Sequence, residues 1–400
     1  MPKTSRRDTV YSILIIIGLA HLLNDSLQAL IPAMFPILEE SLGLSFTQLG
    51  FIAFTLNMVA SVMQPIVGMV SDKRPMPYAL PLGLTSSMIG VFMLSLAPNF
   101  WTILLSVLFI GIGSAVFHPE GSRVAFLAAG PRRGFAQSIY QVGGNAGQSL
   151  APLITALVLV PLGQFGAIWF TAIAGIAVVF LMYIARWYAS QMQSYRMVKD
   201  QESSANKSPA VKRAIRNALL VLIFLVFARS WYQGAIANFY AFYAIENYDL
   251  SIAKSQYYIF TFLLMGAVGT FIGGPLADRF GRKNVIVFSL LAPAPLTLLL
   301  PFVGPVLAIV LLAVIGLLLL SSFSVAVVYA QELVPDKIGT MSGLIVGLAF
   351  GMGAIGSVAL GWLIDSIGLT STMIAVSTLP LLGIFTFLLP SDEKVQEWYK

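Results

Sequence analysis

The 400-residue chain has no cysteine and only two histidines, and charged residues make up only 10% of it. The lack of cysteine excludes disulfide bonds, thiol nucleophiles and cysteine-ligated metal centres. Soluble domains carry about 25% charged residues, whereas 58% of this chain is hydrophobic. No soluble core could bury so much apolar sequence, so the composition indicates a polytopic membrane protein.

Further absences limit the function. The sequence contains no Gly-x-x-x-x-Gly-Lys-Ser/Thr phosphate-binding loop and no soluble domain that could hold ATP. Two histidines are too few for a conventional histidine metal site, and no nucleophile–base motif is present. We therefore expect no cofactor, no enzymatic activity and no nucleic-acid partner, and we expect any uphill work to draw on an ion gradient.

Apolar segments of membrane-spanning length recur along the whole chain. They predict an all-α polytopic membrane protein with twelve transmembrane helices in two pseudo-symmetric six-helix bundles. The first segment is too long for the apolar core of a signal peptide, so we expect it to remain in the protein. The predicted helices cover residues 10–38, 46–71, 77–97, 100–127, 134–158, 163–189, 214–245, 252–278, 284–302, 304–333, 338–366 and 369–390.

The distribution of lysine and arginine predicts the orientation. With the N-terminus inside, nearly all of these residues fall on the cytoplasmic side, and the opposite loops hold only Lys254. This asymmetry predicts a multi-pass protein of a bacterial-type inner (cytoplasmic) membrane, with both termini in the cytoplasm.

A polar segment at 190–213 divides the predicted helices into two groups of six. Its serine, asparagine, lysine and proline content is typical of a flexible linker. We therefore expect an N-terminal bundle at 1–189, a cytoplasmic linker at 190–213 and a C-terminal bundle at 214–400.

The two halves carry related loops after their second helices. The first loop reads Gly68-Met-Val-Ser-Asp72-Lys73-Arg74, and the second reads Gly274-Pro-Leu-Ala-Asp278-Arg279-Phe-Gly281-Arg282-Lys283. The second loop resembles the signature of the major facilitator superfamily, and the first is a degenerate copy. The resemblance implies a secondary transporter built from a duplicated six-helix unit, with its substrate site between the halves near the membrane midplane.

Two further motifs narrow the resemblance. His21-Leu-Leu-Asn-Asp25 in the first helix and His118-Pro-Glu-Gly-Ser-Arg123 in the fourth look like those of the fosmidomycin-resistance branch of drug exporters. This resemblance implies export of a drug such as fosmidomycin, which is an anionic phosphonate.

The paired loops are expected to act in gating and not in substrate binding. The resemblance implies that they latch the inside-closed state, and the alternative is that they are plain positively charged cytoplasmic loops. An aspartate in such a loop can cap a neighbouring helix or pair with arginine. The predicted gating residues are Gly68, Asp72, Arg74, Gly274, Asp278, Arg279, Gly281, Arg282 and Glu332, the last as a partner for Arg282.

A polar stripe runs along the first helix, because residues i and i+4 share a helix face. A carboxylate at this depth is costly unless it faces a bundle interior or a wet cavity. We therefore expect Asp25 to couple protons, and we expect His21, Asn24 and Gln28 to line the substrate site. The alternatives are a permanent structural ion pair at Asp25 and a histidine that only packs against it.

Arg229 lies at a similar depth in the seventh helix, which is the counterpart of the first. Arginine suits bidentate binding of phosphonate, phosphate or carboxylate groups. We expect Arg229 to bind substrate together with Tyr232, three residues further along, and Gln141 from the fifth helix.

The fourth helix contributes His118, Glu120 and Arg123. Glu120 and Arg123 are three residues apart and can pair on one helix face. His118 and Glu120 are predicted to join Asp25 in proton coupling, and Arg123 is predicted to contact substrate. The alternative is that Glu120 and Arg123 only neutralise each other and brace the helix.

These features predict a proton-coupled antiporter that exports a small drug or anionic metabolite by alternating access. The sequence leaves the direction open, so proton-coupled import of a metabolite is the alternative within transport. A membrane receptor or enzyme is the alternative outside transport. The expected partners are a small-molecule substrate, protons and the lipid bilayer, and we expect the protein to be a monomer.

Overall fold

The computed structural model describes residues 8–44, 46–150, 154–202, 208–250 and 252–399, which are almost entirely helical and contain no β-strand. The helices, numbered along the chain, are α1 (Tyr11–Ala33), α2 (Phe35–Leu42), α3 (Phe46–Lys73), α4 (Ala79–Ser95), α5 (Phe100–Ala128), α6 (Arg133–Gln148), α7 (Val160–Leu162), α8 (Ile168–Glu202), α9 (Pro209–Tyr248), α10 (Ile252–Phe280), α11 (Arg282–Leu291), α12 (Ala294–Leu299), α13 (Pro305–Leu320), α14 (Phe323–Leu333), α15 (Ile338–Ile367), α16 (Leu369–Ser377) and α17 (Asp392–Glu397). A π-helical turn covers Thr155–Leu159, and 3₁₀ turns cover Gln164–Ala167, Leu300–Phe302, Pro335–Lys337 and Leu379–Leu388.

The helices have the length and composition of membrane spans. Within the described ranges, nine helical stretches are long and apolar enough to cross a bilayer. Together with α4, α6 and α9 they give twelve segments at the positions of the twelve predicted ones. Large apolar side chains such as Trp101 and Val306 are more than two-thirds exposed (73% and 81%), as expected where lipid tails replace water. The predicted all-α polytopic fold is confirmed.

Several predicted spans are not continuous α-helices. The first span ends its α-helix at Ala33, and α2 begins at Phe35 with Pro36 in its first turn. The predicted helix 284–302 consists of α11, α12 and a 3₁₀ turn, and prolines stand at each junction. Proline lacks the N–H group that an α-helical hydrogen bond needs. Hydropathy does not detect these breaks because every segment remains equally apolar.

The neighbouring helices extend into the segment that is predicted to be a linker. Helix α8 continues to Glu202, and α9 begins at Pro209, where the Ser208 hydroxyl accepts a hydrogen bond from the Val211 N–H at 3.3 Å. Residues 203–207 lie outside the described residues. The polar composition of 190–202 fits a helix extension as well as a loop, which is why sequence alone did not separate the two.

The chain divides into two compact units. The first contains Met1–Ser204 and Asp336–Gly347, and the second contains Ala205–Pro335 and Leu348–Lys400. In the first unit α1 packs on α5 and α6, and α5 also packs on α3 and α4. In the second unit α10 packs on α13, and α9 packs on the 3₁₀ turn at Leu379–Leu388. The domain boundaries predicted at 189 and 214 stay predictions.

The contact between α1 and α6 depends on a glycine. A Cβ atom at Gly143 would overlap the carbonyl oxygen of Gly18 on α1. Backbone atoms cannot rotate away as a side chain can, so any side chain here would push α6 away from α1. The same position therefore controls how close α6 comes to the polar stripe of α1.

We predict that Gly143→Ala destabilises the first unit. The added methyl group forces the helices apart, and overpacking of this kind lowers the free energy of unfolding by about 1–3 kcal/mol. Thermal unfolding of the purified protein in detergent measures the change. The matched control is Gly175→Ala on α8, where the nearest atom to the new Cβ is the Met88 sulfur at 3.9 Å. Equal melting temperatures for the two variants would contradict the packing argument.

Candidate functional site

Two histidines and one aspartate converge inside the first unit. His21 and Asp25 lie one turn apart on α1, and His118 approaches from α5. The Asp25 Oδ1 atom is 3.5 Å from His21 Nε2 and 3.6 Å from His118 Nε2, and all three side chains are only 2% exposed. We call these three residues the His–Asp cluster.

Three amide groups donate to the Asp25 carboxylate. Asn24 Nδ2 and Gln28 Nε2 donate to Oδ1 at 2.9 and 3.0 Å, and Gln148 Nε2 from α6 donates to Oδ2 at 3.0 Å. Hydrogen bonds to the ionised form of a carboxylate stabilise that form. The predicted stripe residues Asn24 and Gln28 therefore contact Asp25 directly.

Backbone carbonyls orient both imidazole rings. His21 Nδ1 lies 2.7 Å from the carbonyl oxygen of Tyr140, and His118 Nδ1 lies 2.9 Å from that of Ser114. A carbonyl can only accept, so in each ring Nδ1 carries the hydrogen. A neutral imidazole then has its lone pair on Nε2, and both Nε2 atoms face Asp25.

The same three side chains are the metal-binding candidates in the described part of the chain. Their ligand atoms lie within 4.8 Å of one another, and two histidines with one carboxylate could hold a divalent ion by donor type. However, three amide hydrogen bonds already compensate the Asp25 carboxylate, and a metal ion at Oδ1, the oxygen that faces both histidines, would displace two of them. We therefore assign no metal to the cluster.

Helix α6 reaches the cluster because it presents glycine there. A Cβ atom at Gly144 would lie 2.5 Å from His21 Nε2 and 2.9 Å from Asp25 Oδ2. On the same helix, the Tyr140 ring stacks on His21 with ring centroids 4.1 Å apart. The sequence analysis did not assign Tyr140, Gly144 or Gln148 to the site. The closely spaced glycines 143, 144 and 147 in a polar helix were the available signal.

A second buried group surrounds Arg123. Its guanidinium forms an ion pair with Asp72, its Nε lies 3.6 Å from Glu120 Oε1, and it donates to the hydroxyl and carbonyl of Ser71 at 3.0 and 3.2 Å. The Tyr188 hydroxyl donates to Glu120 Oε2 at 3.1 Å. Two carboxylates thus occupy the arginine, which favours the bracing alternative over the predicted substrate contact of Arg123.

Asp72 also caps a helix. Its carboxylate accepts hydrogen bonds from the N–H groups of Gly339 and Thr340 at 3.0 and 2.8 Å and from the Thr340 hydroxyl at 2.5 Å. These residues form the first turn of α15 and group with the first unit. A Cβ atom at Gly68 would overlap the carbonyl of Gly339, so glycine is required there. Arg74 is exposed just beyond α3.

The second loop is held by ion pairs of its own. Arg282 Nη2 lies 3.4 Å from Asp278 Oδ1 and 3.1 Å from Glu332 Oε1, so the expected pairing with Glu332 is present. Gly274 is buried within α10. Arg279 is exposed, with its guanidinium carbon 5.1 Å from the centre of the Phe280 ring.

The second loop is also tied to the C-terminal segment. Gly281 has a φ of 91°, which favours glycine, and it precedes α11. The Asp392 carboxylate accepts from the backbone N–H groups of Arg282 and Lys283 at 3.1 and 3.3 Å and so caps α11. The sequence analysis missed Asp392 because more than one hundred residues separate it from the loop.

A third group of buried polar atoms lies in the second unit. Arg229 on α9 is 3% exposed, and its guanidinium carbon lies 4.8 Å from the centre of the Phe323 ring. Among the described residues, Arg229 Nε and Nη2, the Trp231 indole nitrogen and the Tyr232 hydroxyl have no hydrogen-bond partner. We call Arg229, Trp231 and Tyr232 the donor group. In the first unit, the side-chain nitrogen of Gln141 is likewise without a partner within the described ranges.

Comparisons with known proteins agree with this architecture. The family model described as Major Facilitator Superfamily matches residues 14–356 and 233–398. The chain is 67% identical to an uncharacterized MFS-type transporter, YfnC, of Bacillus subtilis, over 98% of this chain and 96% of that protein. It is 43% identical to the fosmidomycin resistance protein of Escherichia coli, over 98% of this chain and 95% of that protein.

The fold is also that of solved transporter structures. The proton:xylose symporter XylE superimposes with a TM-score of 0.75 at 15% sequence identity, covering 98% of this chain and 99% of that chain. At this identity the likeness concerns the fold alone.

We predict that Asp72→Asn destabilises the protein. The change removes the charge that pairs with Arg123, and breaking a buried ion pair costs about 3 kcal/mol or more. The free energy of unfolding, measured by thermal or denaturant unfolding in detergent, should fall by that order. Asp249→Asn is the matched control because Asp249 is exposed and its left-handed backbone suits asparagine. If both variants unfolded like the unmodified protein, the Arg123 group would not be a stabilising element.

Proposed function

Because the chain belongs to the major facilitator superfamily, we propose that it is a proton-coupled antiporter that exports a small organic anion of the fosmidomycin-like phosphonate class by alternating access. The 43% identity to a fosmidomycin resistance protein over nearly the whole chain supports this substrate class. The membrane-spanning fold and the absence of an ATP-binding motif from the sequence support a gradient as the energy source.

The observation that carries the proposal is the buried donor group. A guanidinium that is buried without an opposite charge is strongly unfavourable. Arg229 is 3% exposed, and two of its nitrogens have no hydrogen-bond partner among the described residues. A bound anion would supply both the missing charge and the missing acceptors.

The chemistry of the donor group suits a phosphonate. Arginine binds phosphonate and carboxylate oxygens through two parallel hydrogen bonds. Tyr232 lies three residues further along α9, on the same helix face, where its hydroxyl can add a donor. The centre of the Phe323 ring lies 4.8 Å from the guanidinium carbon and offers apolar surface for the carbon skeleton of a small drug. The donor group has no carboxylate, and the positive charge of Arg229 would repel a lipophilic cation.

The movement of charge supports export as the direction of transport. Moving one charge across 100 mV is worth about 2.3 kcal/mol. Exchange of an outgoing monoanion for an incoming proton moves two positive charges inward, which is worth about 4.6 kcal/mol per 100 mV. Import of the same anion with one proton moves no net charge. An inside-negative membrane therefore drives export, and the His–Asp cluster with Glu120 is the proposed coupling region.

We predict that Arg229→Gln lowers the affinity for fosmidomycin about 100-fold, because loss of one partner of a desolvated charge pair costs about 2–5 kcal/mol. Isothermal titration of the purified protein measures the affinity. The matched control is Arg216→Gln, which removes the same charge from an exposed position on the same helix. If the affinity of the Arg229→Gln variant for fosmidomycin were unchanged, Arg229 would not be part of an anion site.

Flux in proteoliposomes tests coupling and direction. We predict that an imposed proton gradient drives fosmidomycin accumulation against its own gradient, and that an added membrane potential accelerates it. Indifference to the potential would indicate electroneutral proton symport instead. Arg229→Gln liposomes give the background rate of passive leakage.

A further inference from the structure

We propose that the coupling proton resides on the paired Nε2 atoms of His21 and His118, while Asp25 stays ionised as their fixed counter-charge. The inference concerns the ion site of the antiport mechanism proposed above and rests on that function for its role in transport. It assigns the exchangeable proton to the imidazole rings and a permanent charge to the aspartate.

The charge balance of the His–Asp cluster favours one added proton. Asp25 is 1% exposed, and its hydrogen-bond donors within the described residues are neutral amides. If both rings were neutral, two nitrogen lone pairs would face a carboxylate oxygen at 3.5 and 3.6 Å. This arrangement is repulsive in a medium of low dielectric constant. One added proton on either Nε2 converts it into a buried ion pair with no net charge.

The hydrogen bonds of Asp25 indicate which group holds the proton. A proton on Asp25 Oδ1 would point at the two amide N–H groups of Asn24 and Gln28, and one on Oδ2 would share that oxygen with the N–H of Gln148. Three donors already use the carboxylate as an acceptor, which favours its ionised form. The Nε2 of His21 forms no hydrogen bond to any described residue, so it can take the proton without displacing a donor.

The arrangement of the two rings limits the number of protons in the cluster. The two rings lie edge to face with centroids 5.1 Å apart, and both address the same oxygen at nearly the same distance. A second proton would place two like charges around one carboxylate. The cluster therefore holds one proton, shared between two equivalent positions.

The neighbouring ionisable groups do not supply this charge. On α5, Glu120 and Arg123 pair with each other, and Arg123 also pairs with Asp72 from α3. On α6, the Tyr140 ring stacks on His21, and its hydroxyl donates to the His118 carbonyl at 3.2 Å. On α8, Tyr188 donates to Glu120.

Nitrogen NMR tests the assignment directly. The chain has only two histidines, so labelling histidine with ¹⁵N reports on these two rings alone. We expect both Nδ1 atoms to stay protonated between about pH 5 and 8. On acidification the two Nε2 signals should together gain one proton in total. If both Nε2 atoms stayed unprotonated throughout, the proton would belong to Asp25 and the proposal would be overturned.

Two kinds of variant sharpen the test. In Asp25→Asn the counter-charge is lost, so both Nε2 atoms should stay unprotonated over the same range. In His21→Asn the amide keeps a donor for the Tyr140 carbonyl, and His118 alone should take up the whole proton. Equal titration of His118 in the unmodified protein and in His21→Asn would show that the rings do not share a proton.

A metal ion is the competing occupant, and the NMR experiment detects it. If equimolar Zn²⁺ at neutral pH displaced both Nε2 signals, the cluster would be a metal site and the proton assignment would fail. Continued proton titration with Zn²⁺ present would support the proposal.

The test separates this inference from the proposed function. The NMR measurement needs no substrate and no transport, so a shared proton can be established even if flux proves independent of pH. If flux is proton-driven, the number of protons released on fosmidomycin binding provides the link. Titration calorimetry in buffers of different ionisation enthalpy should give one proton for the unmodified protein and none for the variant with both His21→Asn and His118→Asn. Release of one proton from that double variant would assign the coupling to Asp25.

Discussion

A charge inside a bilayer needs a partner, and this requirement explains how the buried polar residues are arranged. Water cannot solvate such a group, so an opposite charge or several hydrogen-bond donors must do so. Arg123 meets the requirement through Glu120 and Asp72. Asp25 meets it in part through three amides. For Arg229, the described residues supply only the face of an aromatic ring. These three levels of compensation match the roles proposed for the three groups, which are a brace, an ion site and a ligand site.

The Arg123 group joins charge compensation to helix packing. Asp72 pairs with the arginine and at the same time accepts the first N–H groups of α15. The positive end of a helix dipole favours an anion at that position. Because Gly68 allows the α15 backbone to come close, one carboxylate serves both partners. A movement that removed α15 would leave Asp72 with fewer donors, so the pairing opposes that movement. The gating role predicted for this loop requires such a contact.

The sequence predicted those parts of the fold and site that depend on local spacing. Span positions follow from apolar length, and the stacking of His21 on Asp25 follows from the helical repeat. Contacts between segments that are far apart in the sequence could not be predicted from local spacing. Gln148 reaches Asp25 across more than one hundred residues, and Asp392 caps α11 from a similar sequence distance. The pairing of Arg123 with Asp72 is a further contact of this kind, because about fifty residues separate the two in the sequence.

The proposed ion site and the proposed anion site lack opposite charges. The His–Asp cluster has a carboxylate whose rings need one proton to remove their repulsion, and the donor group has an arginine that needs an anion. Loading of either site brings the net charge of that site close to zero, which lowers the electrostatic cost of a conformational change within the bilayer. Neither site needs the other site to be loaded at the same time. The proposed exchange requires that the conformational change occurs only when one of the two sites is loaded, and separate charge balance in the two units is consistent with that requirement.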